Sequence, residues 1–337
     1  MRIYARFAKG WKLAILAVAG IASASCAAEA PRETLPPISI HGNTTTLEIA
    51  PVLLAARDYY PGEANVRMGG IFNLVGEPGV PGFSEPGVAD VATHAETQGL
   101  RYSARHPNLR IILTVSEGFY RIVARRSAGI ASLADLRGKR IATVPNTSSA
   151  FYLHKMLKSA GLTEADVTIV PVMPLSDMPK YLAEGKVDAV TVWEPEIENA
   201  AAAVGDDAIE FQDKSVYREL FNLNTTAENL ADPVKRRQIV GFVRAVIDAS
   251  AAIRSDPSVA WPLVEEATGH PQDLLARSWH HQGYPGILAP DLLDVLEEEE
   301  AWLAQKDGRP ARSRDELARL IDTSVVEEAM EIAGGAR

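Results

Sequence analysis

The stretch from Ala131 to Pro195 restricts the fold more than any other part of the chain. It begins with an apolar strand at Arg140–Val144, a polar turn at Asn146–Ser149 and a helix whose apolar residues recur at helical spacing. A second buried strand follows. Small hydroxyl and amide residues before an apolar-periodic run are typical of a helix N-terminus. A strand, turn, helix and strand in this order form a βαβ unit with parallel strands, so the sequence predicts an α/β fold.

The turn lies where the strand ends and the helix begins. Free backbone N–H groups and the helix dipole converge at such a point, and open α/β sheets bind ligands there. Asn146, Thr147 and Ser148 are therefore candidate ligand-binding residues. The alternative is that these residues only cap the helix.

The sequence Trp193-Glu194-Pro195 follows the buried strand and is the second candidate element. A Trp at a strand end can belong to the core. A Trp beside a carboxylate at the mouth of a sheet can also stack on a small ligand while the carboxylate accepts hydrogen bonds. We therefore predict ligand contacts for Trp193 and Glu194.

The segments SLADLRGKRIA, GKVDAV and VWEP resemble the second lobe of the nitrate/sulfonate/taurine-type substrate-binding proteins of bacterial ABC importers. That group also includes binders of pyrimidine thiamine precursors. The segment VADVATHAETQGLRYSARHPNLRIILTV resembles the first lobe, and the resemblance covers most of Leu35–Asp256. It implies an α/β, two-lobe periplasmic-binding-protein fold with a hinge of two crossings and a helical C-terminal part.

The resemblance also implies domain boundaries. Lobe 1 would comprise residues 38–120 plus 222–337, and lobe 2 residues 121–221. Ile122–Arg125 resembles the strand that leaves the first lobe, and Leu220–Thr225 resembles the return crossing. Two crossings permit hinge closure around a ligand, and the C-terminal helices are expected to pack on the first lobe.

Residues 1–28 have the features of a secretory signal peptide. Four basic residues precede the apolar run Leu13–Ile21, which is too short to span a bilayer, and small residues follow. The chain's one cysteine, Cys26, offers an alternative, a lipid attached to the new N-terminus. The lipoprotein pattern prefers Leu three residues earlier, where this chain has Ser23, so lipid attachment is the second choice. Residues 29–37 form a Pro-rich linker, and the predicted location is the periplasm.

Charge and composition exclude several classes of function. The formal net charge is −10, and removal of residues 1–25, which hold four basic and no acidic residues, makes it −14. An acidic surface argues against nucleic-acid binding. A single cysteine rules out an intramolecular disulfide, and the histidines lack metal-ligand spacing. We therefore predict no metal and no cofactor, and a membrane contact only through a lipid on Cys26.

The first-lobe segment supplies further candidates at strand ends. Thr44 and Thr45 lie in a polar turn after the first strand, which repeats the chemistry of the later turn, although capping would also explain them. Thr93 and His94 end the third strand, a position that faces the cleft in the family. His94 has less weight than Thr93, because a lone histidine is more often a surface or capping group.

Glu117 and Phe119 follow the fourth strand and are predicted to contribute to a pocket. The neighbouring Tyr120 is expected to belong to the core. Near the C-terminus, the acidic run Glu297–Glu300 is expected to be a solvated helix face.

The sequence contains no GxSxG elbow, P-loop or GxGxxG motif, which favours binding over catalysis. We predict a periplasmic solute-binding protein that delivers a small organic molecule or oxyanion to an ABC transporter permease by cleft closure. The alternatives are a secreted enzyme on the same fold and a ligand sensor.

The charge of the ligand stays open at this point. Helix N-termini favour an oxyanion, but the candidate loops contain no Arg or Lys and two carboxylates would repel an anion. This favours a neutral or cationic organic ligand, such as a heteroaromatic one with donor groups. An inward-facing Arg121 or Arg218 would favour the anion again.

Overall fold

The computed structural model describes residues 34–79 and 84–334. The predicted signal peptide, Cys26 and residues 29–33 of the linker lie outside the described residues. Eleven strands occur in the described part: β1 Ile38–Gly42, β2 Ala64–Met68, β3 Val91–Ala95, β4 Leu109–Gly118, β5 Ile122–Arg125, β6 Arg140–Thr143, β7 Thr168–Pro171, β8 Ala189–Val190, β9 Ala208–Phe211, β10 Glu219–Thr226 and β11 Gln282–Gly283.

Thirteen α-helices occur in the same ranges: α1 Ala50–Leu54, α2 Ile71–Val75, α3 Glu96–Ser103, α4 Ser148–Ser159, α5 Met178–Ala183, α6 Glu196–Val204, α7 Ala227–Ala231, α8 Pro233–Ser255, α9 Trp261–Thr268, α10 Gln272–Ser278, α11 Leu292–Asp307, α12 Arg314–Ala318 and α13 Ser324–Gly334. Short 3-10 turns connect several of them, and a π-helical turn extends α1 to Tyr59. None of the described helices combines the length and apolar composition needed to cross a bilayer. The predicted α/β class is confirmed.

Two mixed sheets organise these elements. The first has the strand order β11-β4-β10-β3-β1-β2, in which β1 pairs in parallel with β2 and β3, whereas β10 is antiparallel to both of its neighbours. The second has the order β7-β6-β8-β5-β9, with β6 parallel to β7 and β8. The chain passes from the first sheet to the second between β4 and β5 and returns between β9 and β10. These are the two predicted crossings.

Each sheet has its own apolar core. Core 1, which includes Ile40, Val91 and Phe242, lies between the first sheet and helices α1 and α8. Helix α8 begins at Pro233, and the Asp232 side chain accepts hydrogen bonds from the first free backbone N–H groups. Core 3, which includes Ile197, lies between the second sheet and helices α5 and α6.

A third cluster, core 2, joins the two sheets. It contains buried residues from β4, β5 and β6 and from helices α3, α4 and α11. The ring of Phe151 in α4 lies 5.2 Å from the ring of Trp302 in α11. The Trp302 indole donates to Glu164, which also pairs with Lys306 of α11 at 2.6 Å. Helix α11 therefore packs on the second sheet's layer as well as the first, whereas α13 packs on the first through core 1.

The acidic run in α11 departs from expectation. Glu297 and Glu298 are solvent-accessible or paired on the surface, but Glu299 and Glu300 are fully buried, so the prediction of a solvated face is wrong for half of the run. Glu300 is held by Arg309 and Arg312. The charge pattern along α11 does not reveal these partners, because both arginines lie in the segment that follows the helix and folds back on it.

Phe151→Ala should destabilise the protein by about 3–5 kcal/mol, because it empties a buried aromatic site in core 2. Urea unfolding followed by circular dichroism should show a single transition in both proteins, since core 2 belongs to both sheets. Tyr59→Ala, at an exposed ring, is the control and should stay within about 0.5 kcal/mol of wild type. Two separate transitions in the wild type would contradict the shared core.

Candidate functional site

A cleft of about 270 Å³ lies between the layers of the two sheets. Three aromatic rings contribute to its walls: Phe72 and Phe221 from the first sheet's side and Trp193 from the second. Met173 also lines the cleft and is 55% exposed, so the cleft is open to solvent on that side. Four of the predicted site residues, His94, Thr147, Ser148 and Trp193, line this cleft.

The turn before α4 forms one wall. Thr147 is the N-cap residue of α4, but its hydroxyl donates to the Val144 carbonyl at 2.7 Å and makes no side-chain cap. The Ser148 hydroxyl donates to Glu219 at 3.0 Å and lies 3.0 Å from the Tyr120 hydroxyl. The hydroxyls of Thr147 and Ser148 therefore bond to other groups in the wall and floor of the cleft. Side-chain capping of α4 does not explain them. Tyr120 is buried, as expected.

Asn146 bridges the two sides of the cleft through its backbone. Its φ is 60°, in the left-handed region that Asn tolerates better than most residues. Its carbonyl accepts a hydrogen bond from Gln98 at 3.1 Å and another from Arg101 at 3.4 Å, both on α3. The Asn146 side chain itself is exposed. These two hydrogen bonds form the cross-cleft contact.

His94 presents a fixed tautomer. Its Nδ1 accepts a hydrogen bond from the backbone N–H of Ile71 at 3.1 Å, so Nε2 carries the proton in the neutral ring. The ring stacks on Tyr102 at an interplanar angle of 11° and meets Phe72 edge-on. Burial lowers the pKa of His94 to about 4, so the ring is neutral at physiological pH. His94 is therefore a hydrogen-bond donor in the cleft wall.

The three predicted threonines occupy different positions behind this wall. Thr93 is fully buried, and its hydroxyl faces Gly42 so closely that no Cβ would fit there. Thr45 donates from both its backbone N–H and its hydroxyl to the Asn43 side chain, at 3.1 and 2.7 Å. Asn43 lines the cleft, whereas Thr44 and Thr45 are not among its lining residues. Direct ligand contact by these threonines stays a prediction.

Glu194 points away from the cleft into an ion-pair cluster. It is buried 2.9 Å from Arg121, which also binds Glu198 at 2.6 Å and Glu210 at 2.7 Å. Burial raises the pKa of Glu194 to about 7, and the Arg121 guanidinium opposes the rise. Arg121 is therefore surrounded by carboxylates and is not directed at the cleft.

Glu117 and Phe119 form a similar cluster near the crossing after β4. Arg218 pairs with Glu117 at 2.8 Å and with Asp291 at 2.7 Å. The Lys214 ammonium lies 3.7 Å from the centre of the Phe119 ring. Neither Glu117 nor Phe119 is among the residues that line the cleft. An inward-facing Arg121 or Arg218 would have favoured an anionic ligand. Both are instead paired with carboxylates outside the cleft.

Two carboxyls in the cleft were missed by sequence reasoning. Glu48, in the 3-10 turn Leu47–Ile49, and Glu219, the first residue of β10, both line the cleft and are 2% and 3% exposed. Burial and the neighbouring Glu219 carboxyl hold the pKa of Glu48 well above its usual range. Burial also raises the pKa of Glu219, against hydrogen bonds from Tyr120, Glu48 and Ser148. The signal in the sequence was a glutamate inside the apolar run LEIAPVLLAA.

A second buried acidic pair lies behind this floor and outside the cleft. The Tyr217 hydroxyl donates to Glu96 at 2.5 Å, and the backbone N–H of Leu220 donates to the same carboxyl at 2.9 Å. Glu299 of α11 accepts a hydrogen bond from Thr97 at 3.2 Å. Burial raises the pKa of Glu299 to about 8. In the described ranges, no group of three or more His, Cys, Asp or Glu side chains is arranged to hold a metal ion.

Glu299→Gln should change how stability depends on pH. The unfolded chain titrates this carboxyl near 4.5 and the folded chain near 8, so between these values only the folded protein holds the proton. The stability of the wild type should therefore fall relative to the variant by up to ~1.4 kcal/mol per pH unit from pH 6 to 8, and stay level above pH 8.

Urea unfolding at pH 6, 7, 8 and 9 measures this difference. Glu297→Gln, an exposed position on the same helix, is the matched control and should follow the wild type at every pH. A constant gap between Glu299→Gln and the wild type over this range would contradict the raised pKa.

Two α/β layers that flank a cleft and are joined by two crossings define a two-lobe periplasmic-binding-protein fold. Residues 71–260, more than half of the chain, match the family model described as NMT1/THI5 like. The chain belongs to this family. No curated protein sequence matches it.

Solved structures share the fold at low sequence identity. The periplasmic aliphatic sulphonate binding protein SsuA from Escherichia coli is 16% identical with a TM-score of 0.67, over 85% of this chain and 92% of that one. The periplasmic nitrate-binding protein NrtA from Synechocystis PCC 6803 is 13% identical with a TM-score of 0.67, over 88% and 89%. The desulfurization enzyme DSZB is 15% identical with a TM-score of 0.61, over 90% and 100%.

Proposed function

We propose that this chain is the solute-binding protein of an ABC importer, which takes up a small organic molecule in the cleft and delivers it to a permease. Membership of the NMT1/THI5-like family and the likeness to periplasmic binding proteins support a solute-binding role. The observation that carries the proposal is the cleft itself, whose aromatic walls and few polar groups are typical of a small-molecule site.

The lining of the cleft favours a flat, neutral or cationic ligand. Trp193, Phe72 and Phe221 supply apolar surface for a ring, and His94 supplies a donor. Among the described residues that line the cleft, Arg101 is the single Lys or Arg, and it already contributes to the cross-cleft contact. Two buried carboxyls at the floor oppose the binding of an oxyanion.

Closure of the cleft would require the two sides to move. We propose residues 38–120 plus 222–337 as one lobe and residues 121–221 as the other, with the cross-cleft contact holding the closed form. Bound ligand would stabilise that form, and the permease would recognise it. Core 2 restricts the motion, because α11 packs on α4 across the boundary.

The cell compartment follows from the same proposal. Residues 1–28 would direct export, and the mature protein would act in the periplasm, either free or attached through a lipid on Cys26. Intact mass of the mature protein distinguishes the two forms, because a diacylglyceryl group adds several hundred daltons.

An enzyme on this fold is the second candidate, and the likeness to DSZB favours it. A sensor that signals through a membrane receptor is the third. Turnover of a bound compound would identify the enzyme, whereas release of an unchanged ligand to vesicles containing the cognate permease would identify the importer.

Trp193→Ala should weaken ligand binding roughly 10–100-fold, because it removes the aromatic wall of the second side. A thermal-shift screen of the mature protein with sulfonates, nitrate, aromatic carboxylates, pyrimidines and amines finds the ligand class. A ligand at a hundredfold excess over its Kd adds about 2.7 kcal/mol of stability.

Trp193→Phe keeps a ring and is the matched control; it should retain most of the affinity. If Trp193→Ala binds the ligand as tightly as the wild type does, the ligand does not bind in the cleft. A shift with sulfonate or nitrate alone would overturn the preference for a neutral or cationic ligand.

Gln98→Ala should speed ligand release roughly 2–10-fold, because it removes one hydrogen bond of the cross-cleft contact, worth ~0.5–1.5 kcal/mol. Stopped-flow displacement of the ligand found in the screen measures this rate. Asn146→Gly is the control, since it keeps the accepting carbonyl and tolerates the positive φ. Equal release rates for Gln98→Ala and the wild type would show that this contact does not hold the closed form.

A further inference from the structure

The floor of the cleft contains an acidic pair that no cation neutralises within the described residues. Glu219 is buried and lines the cleft, and its Oε1 accepts from Ser148, but none of the described hydroxyl, amide or cationic groups donates to its Oε2. Glu48 also lines the cleft, is equally buried and lies within hydrogen-bond reach of the Glu219 carboxyl, so a proton on Glu48 is the donor that remains for the pair. In the described ranges, two other buried carboxyls, Glu194 and Glu299, also have an unpartnered oxygen. Neither of them lines the cleft.

We propose that Glu48 and Glu219 form a cation-selecting subsite, which binds an amidinium- or amine-type group of the ligand and releases to water the proton that the two carboxyls share in the empty cleft. This inference rests on the proposed solute-binding role and specifies which solutes the cleft accepts.

Burial makes the two carboxyls costly to ionise. A carboxylate removed from water is unfavourable unless a cation or several hydrogen bonds compensate it. Arg121 and Arg218 are each surrounded by carboxylates of their own. In the part of the chain that the structure describes, Glu194 and Glu117 therefore have Arg partners, whereas the cleft pair has none. The groups that face the pair, from the elements packed around it, are neutral or acidic: Thr46, Tyr120, Ser148 and Tyr284 nearest, then Glu96, Tyr217 and Glu299.

The cleft around the pair has the shape and donors to hold a flat cation. Phe72, Phe221 and Trp193 accommodate a flat group, and His94 offers its N–H in the same cleft. A planar cation with two N–H donors matches two carboxyls better than a point charge does, because each carboxyl can accept one hydrogen bond. An oxyanion would instead meet the acidic pair at the floor.

Binding of a cation would change the protonation of the pair. In the empty cleft, Glu48 keeps its proton and donates to Glu219, since burial and the adjacent carboxyl raise the Glu48 pKa. A bound cation stabilises both carboxylates, so the O–H bond of Glu48 breaks and the proton passes to water or buffer. One proton is released per cation bound. Affinity for the cation should then rise about tenfold per pH unit while the empty pair still holds its proton.

Three matched probes test this inference: benzamidine as the planar cation, benzamide as its neutral counterpart and benzenesulfonate as the anion. Isothermal titration calorimetry at pH 6, 7 and 8, in two buffers of different ionisation enthalpy, gives the affinity and the number of protons released. We expect benzamidinium to bind best, with a Kd that falls as the pH rises, by at most about tenfold per pH unit, and with protons released on binding.

Variants locate the effect. Glu219→Gln should weaken benzamidinium binding roughly 10–100-fold. Glu48→Gln should abolish the pH dependence and the proton release, because the amide cannot ionise. Glu297→Gln is the matched control: it alters an exposed carboxyl of α11 that neither lines the cleft nor faces the pair, so its benzamidinium affinity and proton release should equal those of the wild type.

Benzamidinium binding that is absent, or that survives both cleft substitutions with its pH dependence unchanged, overturns the inference. Binding of benzenesulfonate or benzamide that Trp193→Ala abolishes, without benzamidinium binding, also overturns it but leaves the solute-binding role in place. Failure of the role itself has a different signature, since then no compound of the thermal-shift screen would depend on Trp193.

Discussion

The apolar contact between α4 and α11 determines how the rest of the molecule is arranged. Phe151 and Trp302 belong to a core that takes residues from both sheets, so neither layer is completed without the other. Burying this much aromatic surface stabilises the juxtaposition of the sheets, and the cleft is the space that remains beside it. The turn before α4 is thereby held against α3, and the cross-cleft contact forms. The two layers therefore share one core and are not two independent bodies.

The distribution of arginines explains why the cleft is acidic. Arg121 and Arg218 lie close to the crossings between the sheets, where each is enclosed by two or three carboxylates. These clusters stabilise the connecting segments, because breaking a buried pair leaves an uncompensated charge. The cleft pair, Glu48 and Glu219, has no Arg or Lys partner among the described residues, and Glu219 accepts a hydrogen bond from Ser148. The buried carboxyls are thus of two kinds. Those near the crossings have an arginine partner, and those of the candidate binding site do not.

Sequence reasoning found the architecture because it depends on local patterns. Strand β6, the turn at Asn146–Ser149 and helix α4 follow from apolar spacing and turn chemistry, and family resemblance supplied the two crossings. It placed His94, Thr147, Ser148 and Trp193 in what proved to be the cleft lining. It did not find Glu48 or Glu219, because their proximity joins positions 171 residues apart in the chain. It also predicted that Glu117 and Glu194 contact the ligand. Each is instead paired with an arginine that is distant in sequence from it, and local sequence gives no sign of that pairing.

Met173 has a consequence for where selectivity lies. It lines the cleft and is 55% exposed. A thioether chain is unbranched and polarizable, and it adapts to differently shaped neighbours at little cost. If the cleft binds a solute, an exposed and adaptable side chain discriminates little between ligand shapes. Selectivity would then depend on the buried groups of the lining, Glu48 and Glu219 among them.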